Sequence, residues 1–164
     1  MIIRNWTKLL FVISFISISS ALIAEYFFNL QPCELCLKQR HPYYLILICL
    51  ILIFFFKSFN KIWLYLVIQF ALVYGLFYSI WHVGVENKIL KGPAGCSAML
   101  TNSESASDLK AQILSKQVIS CDEVIWSFFG ISAASINTLV LLVIFILNAI
   151  YLIKYYGIKK EKIV

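Results

Sequence analysis

Apolar residues in this chain come in four long runs separated by polar breaks, roughly Leu9 to Leu30, Tyr43 to Phe56, Ile62 to Val83 and Ile131 to Ile153. A helix crossing ~30 Å of hydrocarbon needs about 20 mostly apolar residues. Three runs reach that length. The second is shorter, and it reaches the interfaces if Arg40 and Lys57 extend their charged heads outward from it. Spans are therefore expected at about 9–30, 42–57, 62–83 and 131–153, with loops at about 31–41 and 84–130. Lipid cannot satisfy open backbone, so runs of this kind are helices. They lack the alternating polarity of membrane barrel strands. The expectation is an all-α membrane protein, one domain of four transmembrane helices over 1–164.

Composition strengthens this reading. Hydrophobic residues make up 62% of the 164 positions and charged residues 13%, and the mean hydropathy is +0.88. A water-soluble globule of this size would lack polar surface to cover itself. That excludes a soluble enzyme, a nucleic-acid-binding module and a disordered chain. The net charge of +6 is unevenly placed. Arg4, Lys8, Lys57, Lys61, Lys154, Lys159, Lys160 and Lys162 fall on one side of the four spans, with Glu161 as the only acid there. The other side carries slightly more acids than bases. By the positive-inside rule both termini are cytoplasmic and the two longer loops lie outside. Trp6, Trp63, Trp81 and Trp126 fall near span ends, where aromatic anchors belong. Arg4 and Lys8 ahead of an apolar run resemble a secretory signal, but the run is too long for one and continues through Phe28, so an uncleaved first span is expected.

Five cysteines add chemistry. Cys33 and Cys36 form Cys-Glu-Leu-Cys in the first outer loop. Cys96 and Cys121 lie in the second, with 24 residues between them. Cys49 sits within the second span and reads as a small hydrophobe. Disulfides persist on the outer side of such a membrane. A two-residue spacer closes too short a loop to stabilise much by chain entropy and favours redox chemistry. Four cysteines could instead hold zinc, although the second pair lacks the short ligand spacing of a zinc knuckle. Haem attachment would need histidine where Leu37 stands.

Arg40 follows Cys36 by four residues, so on a helix it shares a face with that sulfur. A guanidinium there would favour the thiolate or bind the carbonyl of an acceptor; otherwise it anchors the span end. His82 ends the third span four residues before Glu86 and can relay protons or face headgroups. Gln39 and Glu86 are second-rank candidates. Gln69, Asn137 and Asn148, inside spans, are expected to hold helices together. In the second loop, Ser105 as N-cap followed by Ala106, Leu109, Ile113, Leu114 and Val118 on one face predicts a short amphipathic helix, lying on the membrane or packed on the protein.

These residues, taken in order, resemble the disulfide bond formation protein B (DsbB) family of bacterial inner-membrane thiol–quinone oxidoreductases. Cys33-Glu34-Leu35-Cys36-Leu37-Lys38-Gln39-Arg40 is similar to that family's Cys-x-Leu-Cys-x-x-x-Arg segment, with Gln39 where an acid is common. His82 matches its histidine at the end of the third span. Gly92-Pro93-Ala94-Gly95-Cys96 and Cys121-Asp122-Glu123-Val124-Ile125-Trp126 resemble the segments carrying its third and fourth cysteines. The resemblance implies a four-helix bundle with quinone, ubiquinone or menaquinone, near its outer face. It implies that Cys33 and Cys36 are the quinone-coupled pair, that Cys96 and Cys121 shuttle electrons from a periplasmic thioredoxin-fold oxidase (DsbA-like), and that Arg40 and His82 hold the quinone, with no resident metal. Two other readings stand beside it: a non-catalytic membrane subunit with a structural disulfide or zinc–cysteine site, and a relative dedicated to one special partner.

Overall fold

The computed structural model describes residues 5–55, 61–93, 121, 122, 124, 126–128 and 130–161, with side-chain detail as far as Tyr155 and excluding that of 128. Cys96, Lys57 and the amphipathic segment expected after Ser105 lie outside the described residues. The elements in chain order are α1 (Trp6–Tyr26), α2 (Glu34–Phe55), α3 (Lys61–Glu86), a two-stranded hairpin β1 (Ser127–Phe128) and β2 (Ile131–Ser132), and α4 (Ala133–Glu161). Helices α1, α2 and α3 and the part of α4 up to Tyr155 are each long and apolar enough to cross a membrane. The protein is an all-α membrane protein of four such helices.

The helices follow from the apolar runs, but several of their ends do not: α1 stops at Tyr26, short of 30, and α4 continues past 153 to Glu161. Helix α2 starts at Glu34, eight residues before the expected 42, and runs straight through Pro42. The polar residues 34–41 are thus not a loop. Glu34 and Lys38 pair at 2.7 Å one turn apart on the outside of that first turn, while Gln39 is turned inward and buried. Pro42 lies where α3 offers Gly75: a Cβ on that glycine would stand 2.5 Å from the proline ring. Helix α3 runs three residues past Val83 and closes on itself, Ile89 and Leu90 donating their N–H groups to Gly84 O and Lys88 taking φ 58. This keeps His82 and Glu86 on one helical face. Helix α4 begins at Ala133, not 131. Ile131 and Ser132 pair antiparallel with Phe128 and Ser127 across a turn in which Gly130 takes φ +79, and Ser132 Oγ caps α4 by accepting the N–H of Ser135 at 3.2 Å.

Helix α3 packs along both α2 and α4, while α1 lies chiefly against α2. The principal core joins Trp6, Leu10, Tyr43, Ile46, Tyr65, Ile68, Leu72, Leu141 and Ile144. Cys49 is buried in it as a free thiol, as expected of a small hydrophobe. Large apolar side chains such as Phe15, Phe54, Phe70 and Phe77 face outward, which suits lipid rather than water. Polar pins cross the core. Asn148 accepts from Trp6 Nε1 at 3.2 Å and donates to Gln69 Oε1 at 2.7 Å and to Tyr65 O at 3.3 Å. The role expected for Gln69 and Asn148 is therefore observed. A smaller cluster of Cys33, Leu35, Val85 and Cys121 closes the other end of the bundle.

Candidate functional site

The site is built on the first turn of α2. Asn29, at φ 52, turns the chain out of α1, a conformation asparagine tolerates. Cys33 then occupies the N-cap of α2. Its carbonyl takes the N–H of Leu37 at 3.1 Å and its Sγ takes the N–H of Cys36 at 3.3 Å. An N-cap side chain meets the amide three residues on, so the two-residue spacer delivers the second cysteine to the first. The two sulfurs are 2.9 Å apart, and both are free thiols. The hydrogen bond with the Cys36 thiol holds the Cys33 thiol below its ordinary range; burial opposes this, and His82 and the Cys36 amide add to it.

His82 reaches the pair from α3. Its Nε2 is 3.6 Å from Cys33 Sγ and its Nδ1 is 2.8 Å from Gln39 Nε2. Glu86 stands one turn further on, its Oε1 3.9 Å from His82 Nε2, and its Oε2 accepts from Ser132 Oγ at 2.5 Å. Gln39 and Glu86, the weaker candidates in the sequence, are thus both in direct reach of His82. Arg40 borders the same cavity as Cys36 and has a partner of its own. Its guanidinium pairs with Glu25 of α1 and lies 3.5 Å from Ala21 O.

Cys36, Gln39, Arg40, His82 and Glu86 all border one cavity of about 260 Å³ between α1 and α4. Small side chains on α1, Ser17, Ala21 and Ala24, open it, and Ile18, Tyr43, Ile136 and Val140 line its apolar part. Asn137 also borders it. Its amide donates to Gln39 Oε1 at 2.8 Å and accepts from Tyr43 OH at 2.7 Å. It holds helices together as expected and belongs to the site as well. Ser79, Thr138 and Ser132 were missed. A serine or threonine among apolar residues gives no signal until its neighbours on other helices are known.

Cys121 is buried and disulfide-bonded, in the same cluster as Cys33. The ligand atoms of Cys33, Cys36 and His82 lie within 4.8 Å of one another.

Residues 3–151 match the family described as Disulfide bond formation protein DsbB. The chain belongs to the DsbB family. It is also 31% identical over 132 residues to the uncharacterized protein RP370 of Rickettsia prowazekii (strain Madrid E), covering 79% of this chain and 76% of that one. No solved structure matches it. Membership in the DsbB family makes this a multi-pass membrane protein of disulfide-bond formation, in a family generally linked to quinone and to a thiol-oxidase partner.

Proposed function

We propose that this DsbB-family protein reoxidises a periplasmic thioredoxin-fold oxidase and passes the electrons to membrane quinone. It would lie in the bacterial inner membrane with both termini cytoplasmic and the cysteine loops periplasmic. The observation that carries the reading is the Cys33–Cys36 pair, buried against the disulfide-bonded Cys121 on one side and bordering an apolar cavity on the other.

Thiol–disulfide exchange needs a thiolate aligned on a disulfide sulfur. The partner's dithiol would reduce the Cys96–Cys121 disulfide, a thiolate of the partner attacking Cys96 and a second closing the partner's own disulfide. The Cys121 thiolate would then attack Cys33, releasing Cys36, and Cys96 would close the outer pair again. This leaves Cys33 and Cys36 reduced by two electrons. Cys33 is suited to exchange because its thiolate is favoured. The cavity fits a single ring: its volume is that of a small headgroup, its walls are apolar, and Arg40 and His82 border it as cationic and N–H donors for a carbonyl. Quinone would supply the sink, taking two electrons and two protons as the Cys33–Cys36 disulfide re-forms. His82, with Glu86 beside it, would move a proton at the cavity wall.

The test is quinone reduction by the purified protein given a reduced thioredoxin-fold partner. Turnover that needs both cysteine pairs supports the reading; absence of any quinone reduction defeats it. A zinc site is favoured by one observation, the convergence of Cys33, Cys36 and His82. Two thiolates on one tetrahedral zinc, at about 2.3 Å each, stand about 3.7 Å apart, whereas these sulfurs are 2.9 Å apart. Stoichiometric zinc in the purified protein would favour that second reading.

A further inference from the structure

Five polar side chains behind His82 form a hydrogen-bond chain whose direction can be worked out by counting protons. It starts from a group that can only accept, the backbone carbonyl of Ala134. Thr138 Oγ1 donates its one hydroxyl proton to that carbonyl at 2.8 Å. The contact between Ser79 Oγ and Thr138 Oγ1, at 2.7 Å, must then be donated by Ser79. With its own proton used, Ser79 Oγ accepts, and the donor facing it at 3.3 Å is the Asn137 amide nitrogen. The same NH2 group faces Gln39 Oε1 at 2.8 Å. Asn137 Oδ1 is thereby turned to the Tyr43 hydroxyl, which donates to it at 2.7 Å. Since Gln39 shows its oxygen to Asn137, it shows its NH2 to His82 Nδ1 at 2.8 Å.

Reversing the chain is possible but poorer. Asn137 would present Oδ1 to Ser79 and Gln39, and Thr138 would have to donate to Ser79. The Ala134 carbonyl would lose its hydroxyl donor, while the Tyr43 hydroxyl, which accepts as well as donates, would take the Asn137 NH2 instead. The reversed order is one hydrogen bond short, at the buried Ser79 and Ala134.

We infer that Asn137 and Gln39 are positioning residues that hold His82 as the Nε2–H tautomer, so that this N–H faces Cys33 Sγ across 3.6 Å. A neutral imidazole that accepts at Nδ1 carries its proton at Nε2. Cys33 then receives two N–H groups, from the Cys36 amide at 3.3 Å and from His82. Both favour the thiolate that forms whenever the Cys33 sulfur is released in exchange. Glu86 Oε1, at 3.9 Å from the same nitrogen, is the competing acceptor, and its other oxygen is engaged by Ser132. The inference rests on the proposed exchange role of Cys33 for its purpose, but the tautomer can be measured without quinone or partner.

The decisive variant is Asn137→Asp, which keeps the side chain's shape and removes its donors. The carboxylate can only accept, so Gln39 turns its NH2 to it and its oxygen to His82. His82 must then carry its proton on Nδ1, leaving Nε2 as an acceptor toward Cys33. Nitrogen NMR of histidine-labelled, reduced protein in detergent should show the Nε2–H form in the unaltered chain and the Nδ1–H form in the variant. The titration midpoint of Cys33, read by alkylation rate against pH, should rise by about one unit, a tenfold change in its acid–base equilibrium. Thr138→Val, which removes the hydroxyl whose donation to the Ala134 carbonyl sets the direction of the chain, should move both readouts the same way by less, and it answers the question should Asn137→Asp fail to fold. An Nδ1–H tautomer in the unaltered protein, or variants that shift neither tautomer nor titration, would overturn the inference. A preserved tautomer pattern in a protein that never reduces quinone would leave the inference standing and defeat the proposed function instead.

Discussion

Replacing Gly75 by alanine should loosen the bundle at the place where three helices meet. The added Cβ would lie 2.5 Å from Pro42 Cγ on α2 and 3.3 Å from Leu141 Cδ1 on α4. Carbon atoms pack best at about 3.5–4.0 Å, so roughly 1 Å must be found. The fully buried Pro42 ring cannot rotate away, and the backbones of α2 and α3 must part. Overpacking of this kind costs about 1–3 kcal/mol, and the rigid partner puts it toward the upper end. Alanine's better helix propensity returns about 1 kcal/mol, so a net loss of about 1–2 kcal/mol is expected. For a chain of 164 residues that lowers the midpoint of thermal unfolding by about 3–6 °C. Gly84→Ala is the matched control. Its Cβ would meet Leu90 Cδ1 at 2.7 Å and Cγ at 3.0 Å, but Leu90 is 48% exposed and can swing aside, so with the same propensity gain the change should be neutral or stabilising by up to about 1 kcal/mol. The assay is unfolding in detergent followed by tryptophan fluorescence. Equal stability of Gly75→Ala and the unaltered protein, or equal losses in the two variants, would refute the reasoning.

Serine at Cys33 or at Cys36 should abolish quinone reduction in steady-state absorbance assays while leaving the four-helix circular dichroism spectrum intact. Arg40→His should raise the apparent KM for quinone severalfold with a smaller change in kcat; unchanged quinone kinetics would remove Arg40 from the site. Because Arg40 is held by Glu25, Glu25→Gln should raise that KM as well, by loss of orientation rather than of charge. The Cys33 thiol is held low chiefly by Cys36, so its alkylation by iodoacetamide should proceed at pH values where an ordinary thiol is protonated, and Cys36→Ser should move that dependence upward. A depressed folded-state pKa stabilises the reduced protein fully above the ordinary thiol range, and this contribution is lost as pH falls through the depressed value; unfolding of the reduced protein across that interval measures it.

The four spans were legible because lipid imposes one long-range rule, an apolar run of sufficient length, and the runs are unambiguous. The cysteine pair was legible because its spacing is local. The helix that carries the pair was not: Glu34 to His41 look like loop residues by polarity, and nothing within the segment tells that Gln39 is buried against His82 while Lys38 is outside. Pro42, a sequence signal for a helix start, sits eight residues inside α2, made tolerable by the bare surface of Gly75. Ile131 belongs to a span by its hydropathy, but pairing with Phe128 places it in a hairpin. Arg40 and Glu25 illustrate the general limit. Their i, i+15 separation carries no periodic signature, and only the packing of α1 against α2 joins them.

The two amide pins have a consequence for how the chain is assembled. Asn137 and Asn148 both belong to α4, three turns apart, and between them they satisfy Gln39 and Ser79 near one end of the bundle and Gln69 and the Trp6 indole near the other. A ribosome-bound intermediate with only the first three helices inserted would leave Gln69 Oε1 and the Trp6 indole without these partners inside the bilayer, and Ser79 and Gln39 Oε1 with only a 3.5 Å contact to each other. Helix α4, made after the other three, is the one that locks their register, so release from the insertion machinery and from membrane quality control should await its arrival, and chains truncated before α4 should be degraded rather than accumulate.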